Sequence, residues 1–178
     1  MVAPLLAPTL SPAVSAPTRL RVPDLLQATD RCADDVLSGR YDRLLAAARL
    51  PTDERWYNRL YGDDELDIWL ISWVPDKSTE LHDHGGSLGA LTVVSGALQE
   101  TRWDGHGLRS RELRAGDQAG FPLGWVHDVV WAPAPTPAPV TLSVHAYSPP
   151  LSAMSYYGVT ERNTLRRSRT ELTDAPEG

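Results

Sequence analysis

The sequence predicts an all-β fold, a jelly roll or β-barrel with a short helical cap at its N-terminal end. Three observations predict it. Apolar residues at helical spacing are confined to the chain before Arg49. From about Leu66 onward the chain breaks into short runs rich in Val, Ile, Thr, Trp and Tyr, residue types that suit a pleated, half-buried surface. Gly, Pro, Asp and Ser separate these runs at the close spacing expected of sandwiches and barrels.

Taken in order, residues 1–22 are rich in Pro and Ala and are expected to form a flexible tail. Pro4, Pro8, Pro12 and Pro17 interrupt any helix, and no basic residue precedes Arg19, so the charged start of a signal peptide is missing. A helix is expected over 23–37. Pro23 suits a first helical position, Leu25, Leu26, Cys32 and Val36 recur on one face, and Gly39 suits a stop. A second helix is expected over 41–49, ended by Pro51, and a further turn from Thr52, an N-cap followed by Asp53 and Glu54. Strands are expected at 66–74, 80–84, 90–95, 97–103, 108–113, 126–131 and 140–147. Residues 132–139 hold four prolines and are expected to form a stiff loop. The reading is one domain over 23–160, followed by a polar C-terminal tail over 161–178.

The chain has 178 residues and a net charge of -6. An acidic balance argues against nucleic acid and against an anionic membrane surface as partners. The single cysteine, Cys32, excludes an internal disulfide and a cysteine-rich zinc site. No apolar run is long enough to span a bilayer as a helix. A monomer in the cytoplasm is expected.

The histidines carry the most information. His82 and His84 stand two apart, so on a strand they point to the same face about 7 Å apart and can share one metal ion. His127 lies on a later strand and could add a third imidazole. His106 sits in the turn Asp104-Gly105-His106-Gly107 and is expected to be solvated. On its own an H-x-H pair is more often a pair of satisfied core histidines than a metal site.

The framing of these histidines resembles the two motifs of the cupin superfamily. His82-x-His84 is followed by Gly96 twelve residues on, and Gly116, Pro122, Gly124 and His127 read G-x5-P-x-G-x2-H. Asp76 replaces the leading glycine of the first motif, Gly89 its glutamate, and Trp131 the closing asparagine of the second. Within the superfamily, Tyr57-Asn58-Arg59-Leu60 and Ser143-Val144-His145-Ala146-Tyr147-Ser148-Pro149-Pro150 are similar to two segments of the cysteine dioxygenase family. The resemblance runs from Tyr57 to Pro150 and implies a cupin-type jelly-roll barrel.

The same resemblance implies Fe(II) held by His82, His84 and His127, with no carboxylate among the ligands. Arg59 and Tyr57 would bind the substrate carboxylate, and Ser143, His145 and Tyr147 would form a hydrogen-bonded relay beside the reacting atoms. The implied reaction is oxidation of L-cysteine by O2 to cysteine sulfinate. In many eukaryotic members a cysteine at the position of Gly89 is linked to the tyrosine, and this chain lacks that thiol. Three alternatives stand beside this reading. One is dioxygenation of 3-mercaptopropionate or another small thiol, against which Arg59 weighs because such enzymes tend to carry glutamine there. The others are a non-catalytic cupin that binds a metal or ligand, and a zinc or manganese cupin isomerase.

Overall fold

In the computed structural model, residues 18–136 and 138–176 are described; the expected tail over 1–22 falls mostly outside them. Two helices open the chain, α1 (Val22–Leu37) and α2 (Asp42–Ala48). Arg21 caps α1: its backbone N–H donates to Asp24 at 2.8 Å, and Asp24 sits on the positive end of the helix dipole.

Eleven strands follow among the described residues. They are β1 (Trp56–Gly62), β2 (Asp67–Trp73), β3 (His82–Asp83), β4 (Leu88–Ser95), β5 (Ala97–Trp103), β6 (Leu108–Arg114), β7 (Gln118–Phe121), β8 (His127–Ala132), β9 (Thr141–Ser148), β10 (Ala153–Val159) and β11 (Leu165–Leu172). They build two antiparallel sheets, in the orders β1-β2-β9-β4-β7 and β11-β10-β3-β8-β5-β6. The jelly-roll expectation is met as two sheets around a shared core. No ladder closes them into a hydrogen-bonded barrel among the described residues.

The first sheet is buried on both faces at its centre, along β2, β9 and β4. Its outer face receives α1, where Leu25, Cys32, Ala33 and Val36 pack with Leu70, Ala90, Val144 and Ala146. Its inner face carries Trp69, Ile71, Leu91, Phe121 and Tyr147, packed with Leu98, Val129, Met154 and Tyr156 of the second sheet. This double covering explains why β2 and β9 are buried along their whole length: a sheet covered on both sides needs no polar alternation. Polar ties also hold the helix down. Thr92 Oγ1 donates to Thr29 Oγ1 at 2.8 Å, and the Gln118 amide donates to the Leu26 carbonyl at 2.8 Å. Gly96 turns β4 into β5 with φ +74°, and a side chain there would strike Thr141.

Several expectations need correction. Residues from Thr52 form bends, not a helical turn, and the chain then enters β1. The expected strand over 80–84 shrinks to His82–Asp83. Part of the polar tail expected over 161–178 is β11, which pairs with β10 along its length. Its residues are almost all exposed, so the backbone ladder holds it without the apolar alternation that would have announced it. No helix among the described residues is long and apolar enough to cross a membrane.

Candidate metal centre

The two-residue strand β3 is bridged on both sides at the same place. His82 pairs with His127 of β8 on one side and with Tyr156 of β10 on the other. Asp83 accepts hydrogen bonds from the Tyr157 hydroxyl at 2.6 Å and from the Gly85 N–H at 2.9 Å. The segment before β3 is clamped by Asp128, which accepts from the Thr79 N–H at 2.9 Å, the Thr79 hydroxyl at 2.8 Å and the Ser78 hydroxyl at 3.0 Å.

His82, His84 and His127 converge. All three are buried, with ring centroids 4.9 to 5.2 Å apart, and one nitrogen from each lies within 4.8 Å of the others. Hydrogen bonds on the far side of two rings set their tautomers. The carbonyl of Glu80 can only accept, so His82 Nδ1 donates to it at 2.9 Å. The Nδ1 of His127 lies 3.1 Å from Glu100 Oε1. Each of these rings is left with a bare Nε2, and that of His127 is buried with no hydrogen-bond partner. A buried ring nitrogen without a partner is costly, and a divalent cation between the rings would satisfy it. The residues therefore fit a metal ion bound by three neutral imidazoles, a donor set suited to iron or zinc.

The electrostatics agree with neutral rings. Burial, with His127 next to it, lowers His82 to about 3. Burial also takes His84 well below the ordinary range. Phe121 lies 4.3 Å from the His127 ring and 5.6 Å from the His84 ring, and Tyr147 lies 4.9 Å from His84. These aromatics wall the centre.

The three residues of β9 singled out from the sequence share the inner face. Trp73 Nε1 donates to Ser143 Oγ at 2.8 Å, Ser143 Oγ lies 2.9 Å from His145 Nε2, and His145 Nδ1 lies 3.3 Å from the Tyr147 hydroxyl. An indole N–H only donates, so Ser143 Oγ accepts from Trp73. Ser143, His145 and Tyr147 then stand in one chain of hydrogen-bonding contacts. Burial, with His127 and His82 nearby, lowers His145 to about 3. Tyr147 also pairs with Gly89 of β4 and Asp67 of β2. A Cβ at Gly89 would meet Phe121 Cδ2 at 2.8 Å and the Tyr147 ring at 3.3 Å, so the glycine lets the phenol lie flat against the strand.

Arg59 and Tyr57 stand at the rim of this face, on the edge strand β1. The Arg59 guanidinium lies 4.6 Å above the Trp69 ring, and the Tyr57 ring meets Trp69 edge-on at 6.0 Å. Arg59 Nη2 donates to the Asp174 carbonyl at 3.0 Å and lies 3.9 Å from Asp67 Oδ2. Trp69 belongs to the same inner cluster as Tyr147. His106 is exposed in its turn, away from the centre.

Two acidic residues here escaped sequence reading. Asp67 is fully buried; burial pushes its carboxyl up, opposed by Trp69 and Arg59. Glu100 is fully buried too. Burial pushes its carboxyl up, but the hydrogen bonds of His127 and Trp125 and the charge of Arg111 outweigh this and bring it to about 2. Glu100 stands between Gln99 and Thr101 in a run that reads as solvent-facing, and only the strand register shows otherwise.

Comparison with known proteins completes the picture. Among solved structures, KdgF from Halomonas sp. is 18% identical, with 55% of this chain and 82% of that one covered and a TM-score of 0.47. TT1209 from Thermus thermophilus is 19% identical over 60% of this chain and 93% of that one, with a TM-score of 0.47. An uncharacterized protein with a double-stranded beta-helix domain from Klebsiella pneumoniae is 17% identical over 67% and 88%, with a TM-score of 0.46. A family model described as cysteine dioxygenase type I matches residues 9–121, more than half of the chain. That stretch includes His82 and His84 and stops before His127. Its extent decides the question: the chain belongs to the cysteine dioxygenase type I family of cupins, and its three-histidine cluster fits a metal-dependent dioxygenase.

Proposed function

We propose that the protein is an Fe(II)-dependent thiol dioxygenase that converts L-cysteine and O2 to cysteine sulfinate, with His82, His84 and His127 as the metal ligands. The observation that carries this reading is the buried trio itself, with two of its rings fixed so that bare Nε2 atoms face one another. When bound, iron would supply the place where thiolate and O2 meet and the electronic flexibility that joins them. The thiol supplies all the electrons, both oxygen atoms end on sulfur, and no further reductant is required.

The chain's own residues then have separable tasks. Arg59 forks onto the substrate carboxylate, a geometry that suits guanidinium better than ammonium, and Trp69 beneath it holds the plane of the fork. Tyr57 flanks the same indole and completes the carboxylate end. To receive substrate, Arg59 exchanges the Asp174 carbonyl for a carboxylate, a stronger acceptor. At the other end, Ser143 and His145 line up with the Tyr147 oxygen, and the phenol stands beside His84, where its proton can be given to developing charge on oxygen. Phe121 and Tyr147 keep water from the histidines.

We place the protein in the cytoplasm as a monomer, with a small thiol and O2 as its partners and neither nucleic acid nor membrane, in keeping with its net charge of -6. The test is anaerobic loading with Fe(II), followed by oxygen uptake with L-cysteine and with 3-mercaptopropionate while sulfinate is followed by NMR. Uptake matched by cysteine sulfinate supports the proposal. Turnover of 3-mercaptopropionate alone would reassign the substrate, and silence with every small thiol despite bound iron would leave a binding protein.

A further inference from the structure

Glu100 sits in the middle of β5 with no exposed surface. Its two oxygens are divided between two tasks. Oε2 takes the Arg111 guanidinium, with Nε and Nη2 each at 2.6 Å. Oε1 lies 3.0 Å from Trp125 Nε1, which donates to it, and 3.1 Å from His127 Nδ1. Arginine and tryptophan can only donate, so the carboxylate acts as acceptor at both oxygens. His127 must then carry its proton on Nδ1, and its Nε2 lone pair is turned toward His82 and His84.

Arg111 alone would account for a carboxylate near a protein surface. It does not account for the second oxygen, which is buried and given to an indole N–H and to the one histidine of the trio contributed by β8. Nor does the ligand set contain a carboxylate, since glycine stands at position 89. A carboxylate behind a ligating imidazole holds the ring's orientation and tautomer and makes it a stronger donor.

We infer that Glu100 is a positioning residue of the metal centre: it locks His127 as the Nδ1–H tautomer and places, one layer out, the carboxylate that the three-histidine set lacks. The inference rests on the trio being the metal site. Glu100 touches neither substrate nor oxygen and acts only through His127.

The test uses the full chain. Fe(II) and Co(II) affinities are measured without oxygen by competition with a chromophoric chelator, for the wild type, Glu100→Gln and Trp125→Phe. Glu100→Gln is expected to bind metal about 10- to 100-fold more weakly, the range for losing such an outer partner, with a shifted Co(II) visible spectrum. Trp125→Phe removes a neighbouring donor but leaves the His127 contact, and is expected to lose less than about tenfold. Melting of the metal-free variants monitors folding. Unchanged affinity and Co(II) spectrum in Glu100→Gln, with only its melting lowered, would overturn the inference and leave Glu100 as a counter-ion for Arg111. A second measurement needs no variant at Glu100. In the zinc-loaded wild type, a nitrogen–proton correlation spectrum assigned through His127→Ala is expected to show His127 protonated at Nδ1. Protonation at Nε2 would overturn the inference. A wild type that binds no divalent ion would sink the metal site itself, a result distinct from either.

Discussion

Acidifying the metal-free protein should unfold it in a window set by its histidines. His82 and His145 are lowered by burial to about 3, and His84 lies well below the ordinary range. In the unfolded chain each has a pKa of about 6.5. Below that value the unfolded state takes up protons that the folded state refuses, so stability is full above about pH 6.5 and falls as pH drops toward the folded values. At about pH 5 the loss is about 2 kcal/mol for each group with a folded value near 3, so about 4 kcal/mol from His82 and His145 together, with His84 adding to it. Against a typical total of about 5–15 kcal/mol this is a large fraction.

The carboxylates held low act outside this window. Glu100 and Asp104 are held at about 2, so the stability they give is lost only as pH falls through the carboxylate range near 4 and below. Asp67 is raised by burial, and its effect has the opposite sign, relieving strain as pH falls. Urea unfolding of the metal-free protein from about pH 7.5 to 5 reads the loss. With m near 1–3 kcal/mol/M, the midpoint should drop by more than about 1 M. His145→Ala should remove about 2 kcal/mol of the pH dependence. A midpoint that stays flat across that range would refute the picture of three histidines held neutral by burial.

Further outcomes follow from the site. Arg59→Ala removes a charge-assisted contact of about 1.5–3 kcal/mol, so kcat/KM for L-cysteine should fall by roughly 10- to 100-fold, with bound iron unchanged by metal analysis. Tyr147→Phe keeps the ring packing but removes the proton, and single-turnover rates should fall by about 100-fold or more, the low end for a lost general acid. Gly89→Ala forces a methyl between Phe121 and Tyr147; it should cost about 1–3 kcal/mol in denaturant unfolding, as overpacking does.

What the sequence disclosed divides along a physical line. Strands β2, β4 and β9 were legible as short runs rich in apolar, β-branched and aromatic residues between turn residues. β1, with its sequence Trp-Tyr-Asn-Arg-Leu-Tyr-Gly, was not, because an edge strand half open to solvent mixes polar and aromatic residues. β11 is held by its ladder and by polar side-chain contacts such as Arg169 with Glu80, and left no apolar signature. At the centre, His82 and His84 were legible because two residues on a strand must share a face, and His127 because its glycine and proline frame matched a known spacing. The same alternation put Ser143, His145 and Tyr147 on one face, while the relay among them was implied by the family resemblance. Glu100 and Asp67 were hidden because burial of a carboxylate depends on what lies across the sheet, and strand register is not written in any one segment.

The central claim is that oxygen is transferred to a thiol at the three-histidine centre. The most direct measurement is turnover of L-cysteine under 18O2 by the iron-loaded protein, with mass spectrometry of the sulfinate. The account predicts that both sulfinate oxygens carry the label and that His127→Ala makes no labelled product. Sulfinate with oxygen drawn from water, or labelled product undiminished in His127→Ala, would contradict it.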